Sequence, residues 1–351
     1  MKVLLKKGFG MAAGMTLVAL FLAAPAFSQD GQGQAVVTVL PKHDGEVAAS
    51  VANQDLSVQV NGKNAKVTKW AQYTSPGDKL ELVVLIDGSA RSSLGSQMTE
   101  IEKFVKSLPP NIEAAIAYME EGRSTFAAPF SYDHQKVLSA LRLPAGAAGS
   151  NSSPYFCISD LAQHWPSNDQ TARREVVVIS DGVDPYNMRF DPDDQYVQSA
   201  VRDAVKAHLV IYSIYWTGRG RADGTAYENN AGQNLMLQVT EATGGKGFWE
   251  GMGNPVSFEP YLDELTRRFR NQYELLFVSP LKGKASVEMM KLKLSAPGES
   301  IDSPKQVLVA PAGGGRELMV RRAGVAETMA TPSDGSVQHF VSTILLTLFV
   351  G

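Results

Sequence analysis

Four residues whose side chains carry oxygen atoms lie at points where a segment of the sequence ends and a loop or helix begins. Asp87 and Ser89 follow at once on the apolar run LELVVLI. Ser153 stands just before a segment of helical character, and Asp181 follows a second apolar run, REVVVIS. Carboxylate and hydroxyl oxygens are the ligands that Mg²⁺ prefers, and the ion keeps several of its waters. These residue types therefore predict a Mg²⁺ or Mn²⁺ site, with Ser152 as an alternative to Ser153.

The four residues can meet only if their segments end at one edge of a sheet. Near-continuous apolar runs such as LELVVLI are typical of strands that are covered on both faces. From Leu80 to Ser279 such runs, of which YELLFVS is the last, alternate with segments of helical spacing. Repeated strand–helix units indicate a parallel sheet whose ligands bind beyond the carboxyl ends of the strands. The predicted fold class is α/β: a doubly wound, mostly parallel sheet with helices on both faces and a small accessory β element.

The beginning of the chain is predicted to lie outside this sheet. Residues 1–28 have the basic start, apolar core and small-residue end of a signal peptide, with cleavage near Ser28. The protein is therefore expected to be exported, either to the periplasm or beyond the cell. Residues 29–75 are predicted to form a mobile polar leader, QDGQGQA, and a β element with a hairpin turn at Asn61-Gly62.

The main domain is predicted to span residues 76–280. Residues 281–311 are predicted to form a hairpin that closes either on the edge of this domain or on the N-terminal β element. Residues 312–351 have loop composition and end in an apolar segment that is too short to span a bilayer. That segment could dock as a strand or a helix, on a partner or on the domain itself.

Three stretches occur in order along the chain: VVLIDGSAR, NSSPYFCISDL and VVVISDGVD. Together they resemble the metal-ion-dependent adhesion site of von Willebrand factor type A domains, which combines D-x-S-x-S, a Thr at a helix start and [ST]-D-G. The segments LMLQVTEATGGKGFWE and YLDELTRRFRNQYELLFVSP resemble the closing elements of bacterial exported proteins related to that family. The likeness covers roughly residues 36–310. The ligands that it implies are Asp87, Ser89, Ser153 and Asp181, the last of them often through water.

The chain departs from the D-x-S-x-S pattern at its last position, where Arg91 replaces serine. A guanidinium is a permanent cation without an acceptor lone pair, so Arg91 cannot bind a metal ion. If its side chain points inward, it pairs with Asp87 and Asp181 and takes the place of the ion. If it points outward, the remaining oxygens can hold an ion that water completes. Both arrangements are compatible with the sequence.

The acidic stretch DGVDPYNMRFDPDDQY lies directly after the second apolar run. It lacks the regular oxygen spacing of a calcium-binding loop. We interpret it as a solvated loop that caps the next helix, and its aspartates are Asp184, Asp191, Asp193 and Asp194.

The resemblance implies a non-enzymatic exported module for adhesion or scaffolding that binds a protein partner. The ion, or Arg91 in its place, would bind an Asp or Glu of that partner. The alternative is a structural protein of the cell envelope with a vestigial metal site. A metal-assisted hydrolase is a third hypothesis, for which the sequence offers no general base or activated nucleophile beside the two aspartates.

The composition argues against several other classes of protein. The net charge is −3, and removal of residues 1–28 leaves 30 basic against 36 acidic side chains. A mildly acidic chain without a basic block lacks the surface that nucleic acid requires. The single cysteine, Cys157, excludes an internal disulfide, and the five histidines lack zinc-ligand spacing. No membrane span is predicted after signal cleavage, and a monomer is expected because no long amphipathic interface helix stands out.

Replacement of Arg91 by serine tests the departure from the motif. We expect R91S to bind Mg²⁺ or Mn²⁺ more tightly than the wild-type protein, because a third hydroxyl returns and a competing cation leaves. The rise in melting temperature on addition of the ion measures the binding. A lack of response in both proteins would favour the vestigial site or an arginine that replaces the ion.

Overall fold

The computed structural model describes residues 29–43, 48–75, 77–90, 92–144, 153–218, 225–251, 253–281 and 283–312. Several features predicted from the sequence lie outside the described residues. They are the signal peptide with its cleavage site near Ser28, Arg91, Ser152 and the tail from residue 313.

The described residues form thirteen strands and six α-helices. The strands are β1 (Gln29–Pro41), β2 (Leu56–Val60), β3 (Lys63–Gln72), β4 (Leu80–Asp87), β5 (Ile112–Glu120), β6 (Arg123–Ser131), β7 (Arg173–Ser180), β8 (Leu209–Tyr215), β9 (Gly247–Phe248), β10 (Gln272–Leu281), β11 (Ser286–Leu294), β12 (Glu299–Asp302) and β13 (Gln306–Pro311). The helices are α1 (Met98–Ser107), α2 (His134–Leu138), α3 (Pro154–Gln163), α4 (Gln195–Lys206), α5 (Ala226–Thr243) and α6 (Glu259–Arg270).

Six strands form one sheet with the order β6-β5-β4-β7-β8-β9. Five of them are parallel, and β6 pairs antiparallel with β5 at the edge. All residues of β4 are buried because alternate side chains face two different cores. Leu82 and Val84 pack with α1, α2 and α6, whereas Val83 and Leu85 pack with α3, α4 and α5. Helices therefore cover both faces of this sheet.

The other seven strands form an antiparallel sheet with the order β10-β3-β2-β11-β13-β1-β12. A further pairing between β1 and β10 closes six of these strands into a ring. Val37, Phe277 and Val309 belong to the core inside it. The turn between β2 and β3 falls on Asn61-Gly62, whose φ angles of 47° and 74° fit the hairpin turn expected there.

The α/β class is confirmed, but the closed sheet corrects finer predictions. The run YELLFVS lies in β10, which pairs antiparallel with β1 and β3 instead of completing the parallel sheet. The segment predicted as a C-terminal hairpin contributes three strands, β11, β12 and β13. It closes on the N-terminal β element, the second of the two predicted alternatives, because β11 pairs with β2 and β13 pairs with β1. The doubly wound sheet thus contains six of the thirteen strands, and the other seven form a sheet that is larger than the small accessory element predicted.

The polar leader predicted to be mobile is the first half of β1. It pairs with β10 from its first residue and with β13 at Gly31–Gly33. The prediction was wrong because the glycines here serve close packing. A Cβ on Gly33 would lie 2.3 Å from Cζ of Phe277, a ring that is buried in the core of the closed sheet.

A buried polar network joins the two sheets at the amino ends of the parallel strands. Arg173, at the start of β7, donates to the side chain of Gln272 and, at 3.2 Å, to the carbonyl oxygen of Phe269. Gln272 begins β10 and donates to the Tyr212 hydroxyl at 3.1 Å. Glu175 is buried 3.6 Å from Arg173, and this burial raises the pKa of its carboxyl group. The network holds the closed sheet at the end of the parallel sheet opposite to Asp87.

Substitution of Gly33 by alanine tests the close approach of β1. We expect a loss of about 1–3 kcal/mol in the free energy of unfolding, because a methyl group would force the buried Phe277 ring to shift within a packed core. Urea unfolding measures the change. Gly253→Ala is the control, since a Cβ there meets no atom within 4 Å; equal stability of the two variants would contradict the expectation.

Candidate functional site

Asp87 ends β4, and its side chain is almost completely buried, with 3% of the residue exposed. Oδ1 accepts a hydrogen bond from the backbone N–H of Ser89 at 2.8 Å, which fixes the first turn of the following loop. Oδ2 accepts a hydrogen bond from the Ser180 hydroxyl at 2.6 Å. Since β4 and β7 are parallel neighbours, this bond joins the carboxyl ends of two strands.

Asp181 follows β7 and extends the same polar cluster to β8. Its Oδ1 accepts from the backbone N–H of Val183 at 2.9 Å, and its Oδ2 accepts from the Thr217 hydroxyl at 3.2 Å. Thr217 lies just beyond the end of β8. The next residue, Gly218, lies against the loop after β4, because a Cβ there would be 1.8 Å from the Ser89 carbonyl oxygen. The loops after β4, β7 and β8 are therefore in contact.

Ser153 enters the cluster through the start of α3. It is the fully buried N-cap of that helix, and its Oγ accepts from the backbone N–H of Phe156 at 3.4 Å. Tyr155, in the first turn of α3, donates from its hydroxyl to the Gly182 carbonyl oxygen at 2.8 Å. Gly182 has a φ of 69° and packs on α5, where a Cβ would lie 2.4 Å from the Gly232 carbonyl oxygen. Helix α3 is thus fixed against the loop after β7.

The structure places Asp87, Ser89, Ser153 and Asp181 at the carboxyl ends of the parallel strands. Their carboxylate and hydroxyl oxygens are the hard donors that suit Mg²⁺ or Mn²⁺. Among the described residues, no group of three or more His, Cys, Asp or Glu side chains could share a metal ion. An ion here would therefore depend on the two aspartates, the serine hydroxyls and water.

Asp184 corrects the interpretation of the acidic stretch as a solvated loop. Asp194 caps α4 as expected and accepts from the backbone N–H of Tyr196 at 2.8 Å. Asp184, in contrast, is only 1% exposed. Its Oδ1 accepts from the backbone N–H of Tyr186 at 2.9 Å, whereas its buried Oδ2 has no hydrogen-bond partner of good geometry among the described residues. Burial raises the pKa of this carboxyl group, although the Tyr186 N–H and the nearby Ser153 hydroxyl oppose the shift.

Three polar groups of this cluster were not found from the sequence. Ser180 stands in the [ST]-D-G motif, so that motif held the signal for the hydroxyl that binds Asp87. Thr217 follows the apolar run LVIYSIYW as Asp181 follows REVVVIS. Its position directly after a predicted strand could therefore have identified it from the sequence. The burial of Asp184 has no signal in its own neighbourhood of the sequence, because it depends on how α3 packs.

Aromatic and apolar side chains of α3, α5 and the loop after β7 lie near the strand ends, and we call them the aromatic rim: Phe156, Tyr186, Met188, Phe190 and Tyr227. Phe156 and Phe190 are partly buried. Tyr186, Met188 and Tyr227 each expose more than half of their surface. The rings of Phe156 and Tyr186 lie 5.1 Å apart, and those of Phe190 and Tyr227 meet edge to face at 5.6 Å. Grouped apolar side chains of this kind are typical of interaction surfaces.

No protein-family model matches the sequence, and a search of curated proteins gives no match. Solved structures do show similarity. An aerotolerance-related membrane protein from Bacteroides fragilis is 13% identical with a TM-score of 0.41, over 54% of this chain and 98% of that one. The VWA domain of SpRpn10 is 13% identical with a TM-score of 0.38, over 53% and 95% of the two chains.

A third similar structure is the manganese-loaded TRAP protein of Plasmodium vivax, at 11% identity and a TM-score of 0.37, over 68% of this chain and 96% of that one. All three similarities are distant, with identities of at most 13% and TM-scores of at most 0.41. These identities and TM-scores are too low to support a statement about function. Within the described part of the chain, no helix has the length and apolar character needed to cross a bilayer.

Substitution of Ser180 by alanine tests the bond that joins β4 and β7. We expect the free energy of unfolding to fall by about 1–3 kcal/mol, because a buried oxygen of Asp87 loses its hydroxyl donor. Chemical unfolding monitored by fluorescence measures the effect. Ser139→Ala, at an exposed helix end, should change stability by less than about 0.5 kcal/mol. A similar result for both variants would show that the bond to Asp87 adds nothing.

Proposed function

We propose that this protein is an exported, non-enzymatic module that binds a protein partner at the carboxyl ends of its parallel strands. The observation that carries the proposal is the contact of three strand-end loops with one another and with the start of α3. Asp87, Ser180, Asp181 and Thr217 form the polar part of that contact. Ligands of open α/β sheets bind at this edge.

The residues proposed to hold a divalent ion are Asp87, Ser89, Ser153 and Asp181. Such an ion, when bound, supplies a positive centre that can accept a carboxylate from the partner. A cation beside the buried Asp87 carboxylate would add to the compensation that its two hydrogen-bond donors supply. The Ser180 hydroxyl and the backbone N–H of Ser89 fix the orientation of this carboxylate before any ligand arrives.

The aromatic rim supports a protein rather than a small molecule as the ligand. Tyr186 and Met188 lie in the loop after β7, which begins with Asp181 itself. Aromatic residues and methionine are enriched in the cores of protein interfaces, where a few of them supply most of the binding energy. A partner that covers the rim would also exclude water from the charged contact beside it.

The alternative of a hydrolase has weaker support. A metal-assisted hydrolase would use Asp87 and Asp181, and the hydrogen bonds described for these two carboxylates come from backbone N–H groups and hydroxyls rather than from a general base. The alternative of a structural envelope protein with a vestigial site rests on Arg91, which replaces a ligand of the motif. It differs from the main proposal in one measurable property, the response to divalent ions.

Ion-dependent stabilisation tests the proposal. We expect Mn²⁺ at a hundred times its Kd to stabilise the wild-type protein by about 2.7 kcal/mol, seen as a rise in melting temperature. Asp87→Ala should lose this rise, whereas Asp193→Asn, an exposed change in the loop after β7, should keep it. Immobilised wild-type protein should also retain envelope proteins in Mn²⁺ and release them in EDTA.

Two results would contradict the proposal. Equal ion responses of the wild-type protein and Asp87→Ala would place any ion elsewhere. Hydrolysis of a generic phosphate or ester substrate that disappears in Asp87→Ala would replace the binding module with an enzyme.

A further inference from the structure

The hydroxyl proton of Ser153 needs an acceptor. Ser153 is fully buried, so water does not reach it from the surface. Its Oγ already accepts from the Phe156 N–H as the helix cap, at a long 3.4 Å. If a lone pair of this oxygen also binds a cation, the O–H must point away from the cation, toward a protein acceptor.

Asp184 has the free acceptor capacity that this requires. Its Oδ1 is used by the Tyr186 N–H, but its Oδ2 is buried and has no hydrogen-bond partner of good geometry among the described residues. The Tyr155 hydroxyl donates to the Gly182 carbonyl oxygen at 2.8 Å, which brings the start of α3, with Ser153, against the loop that carries Asp184. The nearby Ser153 hydroxyl accordingly lowers the pKa of the Asp184 carboxyl group, against the larger effect of burial. A buried carboxylate oxygen without a donor is costly, and native proteins rarely retain one without a role.

Neighbouring acidic groups are already in use. Asp194 accepts the N–H groups of Tyr196 and Val197 at the start of α4. Asp181 accepts from Val183 and from Thr217 with its two oxygens. Asp184 is therefore the carboxylate best placed to take the proton of Ser153.

We infer that Asp184 is a positioning residue of the ion site: its Oδ2 accepts the Ser153 hydroxyl proton and so directs a lone pair of Ser153 toward the ion. The inference rests on the proposed function, because it needs an ion at Ser153. It adds a residue that the adhesion-site motif does not contain.

A double-mutant cycle on Mn²⁺ affinity tests this role. The variants are Asp184→Asn, Ser153→Ala and the two combined, with Mn²⁺ binding measured by isothermal titration calorimetry on the full chain. Asp184→Asn keeps the shape of the side chain and should weaken binding at least tenfold, as is typical when a partner of a metal ligand is lost. In the Ser153→Ala background it should cause no further loss, because the hydroxyl through which it acts is gone.

A residue with a merely structural role would not show this coupling. Asp193→Asn, an exposed aspartate from the same loop, should bind Mn²⁺ as the wild-type protein does. Ser153→Thr keeps a hydroxyl, and in that background Asp184→Asn should again weaken binding. If Asp184→Asn does not fold, Asp184→Ser replaces it in the cycle, since serine can also accept from the Tyr186 N–H in such a turn.

Each possible result of these measurements decides for or against the role of Asp184. Affinity of Asp184→Asn within twofold of wild type would overturn the inference and leave the proposed ion site intact. Losses that multiply in the double variant would also overturn it, since the two residues would then act independently. Absence of Mn²⁺ binding by the wild-type protein would overturn this inference together with the ion site of the proposed function.

Discussion

The buried carboxylate of Asp87 is the constraint on which the carboxyl edge of the parallel sheet depends. A charge that is 3% exposed must be compensated by donors, and here one donor comes from its own loop and one from the neighbouring strand. The Ser180 hydroxyl can reach Asp87 only if β4 and β7 keep their register. The register of β7 with β8 in turn places Asp181 next to Thr217 at the end of β8. The compensation of the Asp87 charge thus fixes the first turn of the loop after β4 against the end of β7.

The two ends of the parallel sheet have different chemistry for a physical reason. At the amino ends, Arg173 and Glu175 are enclosed by the closed sheet, and Gln272 and Tyr212 complete a network with no access for a ligand. At the carboxyl ends, the loops carry oxygen donors beside exposed aromatic side chains. Buried polar networks of the first kind fix a structure. The rigid end can therefore support the accessible end without taking part in binding.

Local patterns in the sequence predicted those elements that depend on local chemistry. The apolar runs predicted β4 and β7, and Asn61-Gly62 predicted the hairpin turn between β2 and β3. The first half of β1 could not be predicted, since QDGQGQA acquires its strand partners from β10 and β13 near the other end of the chain. Likewise, Asp184 and the more exposed aspartates of the same stretch look alike in sequence. Only tertiary packing distinguishes them. Arg91 was recognised from the sequence as a departure from the D-x-S-x-S pattern. The direction in which its side chain points depends on tertiary packing, which the sequence pattern does not give.

The closed sheet joins segments that are far apart in the chain. Strand β1 pairs with β10 and β13, across more than two hundred residues that contain the whole parallel sheet. Contacts of such long sequence separation form late in folding, because a large loop must close first. The parallel sheet, built from neighbouring strand–helix units, can therefore assemble while the ring is still open. Strand β1 would then pair last, between the edges of β10 and β13, and this pairing would close the sheet.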